Sequence, residues 1–167
     1  RLAARVGGEI VSADSRLLYR GMDIGTAKSV RDGGPSQRKL GPKTYMSDGI
    51  PHHLIDVVSP SKTLTLADYK RRAIRAIRAI LKRGRVPIVV GGTGLYVRAI
   101  VENLEIPEVP PDMTYRAFLA RKGTEWILKR LKKLDPEYAA RIGPNPRYAI
   151  RALEVIRATG KPFGGQQ

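Results

Sequence analysis

The run from Thr65 to Glu102 constrains this chain more than any other. Leu66, Ala73, Ile74, Ile77, Ile80 and Leu81 recur at helical spacing, which predicts an amphipathic helix from about Leu66 to Arg83. Thr65 with Asp68 three residues on makes a capping box at its start. Gly84 ends it. Val86-Pro87-Ile88-Val89-Val90 then forms a continuous apolar run of buried-strand character. Gly91-Gly92-Thr93-Gly94 turns directly into a second helix, from about Leu95 to Glu102. Helix, buried strand, glycine turn and helix in this order is the rhythm of an α/β sheet with parallel strands.

The flanking sequence extends that pattern and then leaves it. Residues 1–5 read as the tail of a helix closed by Gly7-Gly8. Glu9 to Ser12 reads as a short strand, with Ala13-Asp14-Ser15 at its C-terminal end. Leu17 to Ile24 is broken by glycine at 21 and 25. Residues 29–50 are rich in Gly, Pro, Ser and Lys and read as a mobile surface loop. His53 to Val58 is a second apolar run, ended by Pro60. Pro107, Pro110 and Pro111 form a stiff boundary. Beyond it the pattern is helical: Glu125 to Leu134, Pro136 to Ile142, and a helix from Pro146 to Thr159. Asn145 caps that last helix, Pro146 takes its first position, and Gly160 with Pro162 stops it.

Charge narrows the function classes. The 167 residues hold 31 Lys and Arg against 15 Asp and Glu, a net +16. The excess is regional: nine basic against six acidic residues up to Pro60, and 22 against nine beyond it. Such a field draws polyanions, nucleic acid above all. No apolar run approaches the roughly 20 residues of a membrane-spanning helix. With no cysteine, thiol catalysis, zinc ribbons and disulfide scaffolds are excluded, and a reducing compartment such as the cytoplasm fits.

Several residues can carry chemistry. Asp14 sits where the first strand ends, the place where open α/β sheets bind ligands. A carboxylate there can hold a metal, orient a substrate or accept a proton, and it reads equally well as an Asx-turn. Gly91, Gly92, Thr93 and Gly94 open a helix, so backbone N–H groups and the helix dipole make an anion site. Thr93 can cap that helix or donate to a phosphate. The alternative is a tight turn with no ligand. His52 and His53 alternate across a strand and cannot easily share one ion, so one is expected to be structural and one site-facing or exposed. Asp23 and Lys28, around Gly25-Thr26, fit a phosphate site or a salt-bridged turn. Arg71, Arg75, Arg78 and Lys82 form a basic stripe whose usual meaning is a solvated face. Further on, Arg116, Arg121, Lys122, Lys129, Arg130, Lys132, Lys133, Arg141, Arg147 and Arg151 have few acidic neighbours, which favours phosphate contact. Trp126, Tyr115 and Tyr148 are candidates for stacking on bases, or for the core.

Five strings in order resemble one family. They are Ile10-Val11-Ser12-Ala13-Asp14-Ser15-Arg16 continuing through Tyr19-Arg20-Gly21-Met22-Asp23-Ile24-Gly25-Thr26-Ala27-Lys28; Pro51-His52-His53-Leu54-Ile55-Asp56; Val90 to Tyr96; Arg151-Ala152-Leu153-Glu154-Val155; and Thr159-Gly160-Lys161-Pro162. Together they resemble the tRNA dimethylallyltransferases over nearly the whole chain. The resemblance implies transfer of a dimethylallyl group from dimethylallyl diphosphate to N6 of the adenosine just 3′ of a tRNA anticodon, with Mg2+ assisting. It implies a monomer whose P-loop NTPase-like parallel-sheet core carries a helical lobe that grips the anticodon arm. The parts would be a partial α/β core over 1–107, the insertion over 108–145, and a helix returning to the core over 146–167. Asp14 matches the family aspartate that takes the N6 proton or holds that amine. Thr93 and Arg116 match residues at the reaction centre near the diphosphate. Asp14, Ser15, Arg16 and Leu17 match one tRNA-contacting stretch, and Arg147, Tyr148, Ala149, Ile150 and Arg151 match another.

The chain also departs from the family pattern. It starts inside the helix that follows the family P-loop, so that loop and its magnesium-holding hydroxyl are missing from it. The family continues past Pro162 with more helices. Leu17 stands where Gln is usual, Arg147-Tyr148 where Gln-Arg is usual, and the loop around 116–124 looks shortened. The expectation is a fragment of the enzyme, inactive alone. The rival readings are a non-catalytic RNA-binding remnant and a P-loop-type small-molecule phosphotransferase.

Overall fold

A computed structural model describes residues 1–33 and 45–164. The chain divides into two compact units, Arg1–Leu104 and Glu105–Gln167. The first holds α1 (Leu2–Val6), β1 (Gly8–Ser12), β2 (Tyr45–Ser47), β3 (Ile50–His53), α2 (Leu66–Lys82), β4 (Val86–Val90) and α3 (Gly94–Val101). Its four strands run in the order β2-β3-β1-β4. β1 is parallel to both neighbours, with Val11 opposite His53 and Val89, while β2 closes antiparallel on β3. This is the α/β parallel-sheet class expected.

Local chemistry explains the elements. Gly7 ends α1 in the left-handed conformation at φ 62°, which costs glycine nothing. Thr65 and Asp68 cap α2 reciprocally: the Thr65 hydroxyl accepts from Asp68 N and the Asp68 carboxylate from Thr65 N. Tyr69, Ala73 and Ile80 are fully buried on the inner side of α2, packed with Val11, Ala13 and Leu18. Tyr69 stacks on Tyr96 of α3 with ring centres 3.8 Å apart.

Two expectations for this unit are corrected, and the second apolar run is placed. The loop assigned to 29–50 fails at its end, because Tyr45–Ser47 forms β2 and Ile50 begins β3; residues 34–44 lie outside the described part. The strand near the second apolar run is Ile50–His53, so most of that run lies past the strand's end. Leu54 and Asp56 turn the chain at φ 64° and 57°, and Val57 and Val58 donate to Leu18 O instead of joining the sheet. β4 is less buried than its composition suggests: it lies at the edge of the described sheet, with Val86 46% and Val90 51% exposed.

The second unit holds α4 (Met113–Lys122), α5 (Thr124–Leu134), α6 (Pro136–Ile142) and α7 (Pro146–Thr159). α4 occupies most of the stretch taken for a shortened loop. Asp112 caps it by accepting from Tyr115 N at 2.8 Å. Asn145, Pro146 and Gly160 bound α7 as the sequence predicts. Leu119, Ile127, Leu131 and Tyr138 form one core with Ala149, Ala152, Leu153 and Val155 of α7. α7 and Phe163 thus pack against α4–α6.

Candidate functional site

β1 leads straight into the candidate site. Ala13 N donates to Val90 O at 2.7 Å and Thr93 N to Ala13 O at 3.1 Å, so the ends of β1 and β4 are laced together just before Asp14. The approach requires glycine at 91: a Cβ there would stand 2.2 Å from Ala13 C and 2.6 Å from Asp14 N. A Cβ on Gly92 would come within 3.9 Å of Asp14 Oδ2, and one on Gly94 would meet nothing within 4 Å. The turn therefore presents its backbone to open space beside a carboxylate.

The Thr93 hydroxyl makes no cap bond to α3. It accepts from Ser15 N at 3.0 Å and lies 3.3 Å from Ser15 Oγ. Asp14 Oδ1 accepts from Arg16 N at 2.8 Å. That is an Asx-turn, which occupies one carboxylate oxygen and leaves Oδ2 toward Gly92. Structural and chemical readings of Asp14 are thus compatible, one per oxygen.

Beyond Ser15 lies a cavity of about 420 Å3, lined by Ser15, Arg16, Tyr19, Met22, Pro60, Leu64 and Tyr96. Burial pushes the Tyr96 phenol up, and the Tyr19 and Asp14 charges add to this. The Tyr69 hydroxyl donates to Ser12 O at 3.1 Å and braces the strand end from below. Sequence reading missed Tyr19, Leu64 and Tyr96 as cavity walls. The signal was weak, since the wall is assembled from three separate stretches of chain.

Lys28 resolves to the salt-bridged turn. Its ammonium meets Asp56 Oδ1 at 2.5 Å, Asp23 Oδ1 at 3.0 Å and Tyr19 O at 3.1 Å. Those contacts use its three donors and fasten the cavity loop to the segment after β3. His53 is structural: its Nε2 lies 2.6 Å from Glu9 Oε2, toward the start of β1. Burial alone would raise the Glu9 carboxyl, but hydrogen bonds and charge from Arg83 and His53 hold it below the usual range. His52 is half-buried beside Tyr45, and burial lowers its pKa. Neither histidine is at the site. Among the described residues, no three His, Cys, Asp or Glu side chains gather as a metal centre.

In the second unit, Arg116 is bound bidentately to Glu154, Nε to Oε1 at 2.7 Å and Nη2 to Oε2 at 2.8 Å. Glu154 is buried, and it also accepts from Asp112 N at 2.9 Å. Burial would raise its carboxyl, yet the Arg116 and Asp112 hydrogen bonds bring it below the usual range. Glu154 was quoted in a motif without a role; no spacing rule points from Arg116 to a partner so far along the chain. Arg151 donates from Nη2 to Val109 O at 2.9 Å, so its guanidinium also faces the protein. Ala149 is buried in the core, whereas Arg147 and Tyr148 are exposed. Lys129, Arg130, Lys132 and Lys133 are exposed on α5. Trp126 packs edge-on to Phe118 with the Lys122 ammonium 5.9 Å from its ring centre, and Arg157 stacks over Tyr115 at 4.4 Å.

Known proteins resemble this chain over most of its length. The IPP transferase family model matches residues 17–167. The chain is 44% identical to the tRNA dimethylallyltransferase of Geobacillus thermodenitrificans, over 99% of the chain and 50% of that protein. It is 48% identical to that of Thermomicrobium roseum, over 96% of the chain and 46% of that protein. Among solved structures, it superposes on a tRNA isopentenylpyrophosphate transferase from Bacillus halodurans with TM-score 0.54 and 42% identity, covering 97% of the chain and 51% of that structure. A eukaryotic dimethylallyltransferase acting on tRNA gives TM-score 0.73 at 29% identity, over 99% of the chain and 40% of that structure. The chain spans about half the length of the curated relatives it matches. With its laced strand ends, its glycine turn and a family match over most of its length, the chain belongs to the IPP transferase family.

Proposed function

We propose that the protein carrying this chain transfers a dimethylallyl group from dimethylallyl diphosphate to N6 of the adenosine just 3′ of a tRNA anticodon. The observation that carries this reading is Asp14: a carboxylate just past the end of a parallel strand, with Oδ2 toward Gly92 of the glycine turn and an aromatic-walled cavity beside it. An exocyclic amine is a poor nucleophile and needs a base placed at its proton. The N6 lone pair forms a bond to C1 of the dimethylallyl group. The C1–O bond breaks and its electron pair leaves with the diphosphate. The N6 proton passes to Asp14. The Thr93 N–H is spent on Ala13 O, and the other backbone N–H groups of the turn would serve the diphosphate, where fixed dipoles are worth most.

Other residues take graded parts in this reading. Thr93 positions Ser15, and with it the loop that starts at Asp14. Arg116 contributes charge from the edge of its guanidinium that Glu154 leaves open, its side chain being 38% exposed. Ser15, Arg16 and Leu17, with Arg147 to Arg151, are the stretches assigned to the tRNA anticodon arm; Arg16, Arg147 and Tyr148 are the exposed members. Mg2+ belongs to the reading as a companion of the diphosphate. Such an ion takes most of its ligands from phosphate oxygens and water, which leaves Asp14 free to take the N6 proton. The reading places the protein in the cytoplasm as a monomer; no described helix is long and apolar enough to cross a membrane.

Asp14→Asn in the full-length protein tests the reading. Transfer to N6 is expected to fall by about 100-fold or more, with tRNA binding unchanged. Undiminished turnover overturns the role of Asp14.

A further inference from the structure

The proposed chemistry leaves α2 unused, yet α2 carries the densest exposed charge of the first unit. Arg72, Arg75, Arg78 and Lys82 are all exposed. At about 100° per residue they fall within roughly a third of the helix circumference, opposite the buried Tyr69, Ala73 and Ile80. Asp68 is the one acidic residue of α2, and it pairs with Arg71 in the first turn. Among the described residues, Arg75, Arg78 and Lys82 have no carboxylate partner. From Arg72 to Lys82 the stripe runs about 15 Å at roughly 1.5 Å per residue.

Its orientation is fixed at both ends. Tyr69, in the first turns of α2, donates to Ser12 O beside Asp14. Arg83, just past the last turn, bonds Glu9 near the start of β1. The stripe therefore begins at the end of the sheet that carries the candidate site and runs toward the other end.

We infer that this outer face of α2 is a sequence-independent track for the phosphate backbone of the RNA substrate. The inference rests on the proposed function only for the identity of the polyanion. A basic amphipathic helix can also lie on an anionic membrane, but that mode buries the apolar face of the helix in lipid. Here that face is already packed against the first unit's core. What remains outside is charge without an apolar centre, suited to phosphates and poorly suited to a protein interface, whose core excludes charge.

The test measures binding of an anticodon-arm RNA hairpin to the full-length protein over a range of salt, with prenyl transfer assayed on the same preparations. In R72Q/R75Q/R78Q/K82Q the slope of log K against log salt is expected to become shallower by about 3, since each lost phosphate contact removes about 0.7–0.9. R72K/R75K/R78K is expected to keep the wild-type slope, which separates charge from shape. If the fourfold variant does not fold, Arg75→Gln alone is expected to remove about one contact's worth of slope. An unchanged slope with transfer intact overturns the track and leaves the proposed function standing. Absent transfer with a slope that still depends on α2 does the reverse. Loss of binding to phosphatidylserine vesicles, with RNA binding unaltered, also overturns the track and assigns the face to a membrane.

Discussion

At the scale of single residues, the site depends on a glycine whose need is steric. Gly91 lets the backbone after β4 pass against Ala13, and that contact places Thr93 where it accepts from Ser15 N. The atoms a side chain would strike are backbone atoms of β1, which cannot rotate away. Gly91→Ala is therefore expected to cost about 1–3 kcal/mol, as overpacking of a tight site does. Urea unfolding measures this. Gly94→Ala, where an added Cβ meets nothing, is the control and should stay close to wild type. Asp14 is the other residue of consequence. Its Oδ1 accepts from Arg16 N and its Oδ2 lies toward Gly92, a division the sequence does not carry because it holds no information on where either oxygen points.

At the scale of elements, β1, β3 and the end of α2 are joined by one buried carboxylate. Glu9 is 3% exposed and is met by His53 and by Arg83. Its pKa is lowered in the folded protein. A lowered carboxylate contributes stability that is fully present above its unfolded pKa and is lost as pH falls through the folded one. The loss begins near the ordinary glutamate value of about 4.3 and continues below it. Wild type is expected to lose stability more steeply than Glu9→Gln over that range, as read from urea midpoints at successive pH values. Parallel profiles would mean that Glu9 contributes nothing by its charge. The histidine pair made sense only at this scale, since adjacent residues on a strand part to opposite faces and His53 finds Glu9 only through the β1–β3 pairing.

At the scale of the whole molecule, each unit closes its own core. Tyr69, Ala73 and Ile80 belong to one, and Leu119, Leu131 and Leu153 to the other. Ile80→Val is expected to cost about 0.5–1.5 kcal/mol and Leu131→Ala about 2–5 kcal/mol. Because the two residues share no core cluster, the double variant should equal the sum within about 0.5 kcal/mol. Chemical denaturation of the four proteins checks this, and a larger coupling term would show that the two cores act as one.

The sequence by itself determined the local events: the capping box of α2, the bounds of β4, α6 and α7, the glycine turn before α3, and the placing of Asp14 at a strand end. Each follows from forces acting within a few residues, such as caps, periodicity and the conformational freedom of glycine. Only the tertiary structure decided that β4 lies at the edge of the described sheet, that Tyr45–Ser47 joins it, that Lys28 is consumed by Asp23 and Asp56, and that Glu154 binds Arg116. Those outcomes depend on which segments meet in space. A strand's composition does not state how many neighbours it has, and a charge does not name its partner until the fold brings one within a few ångströms.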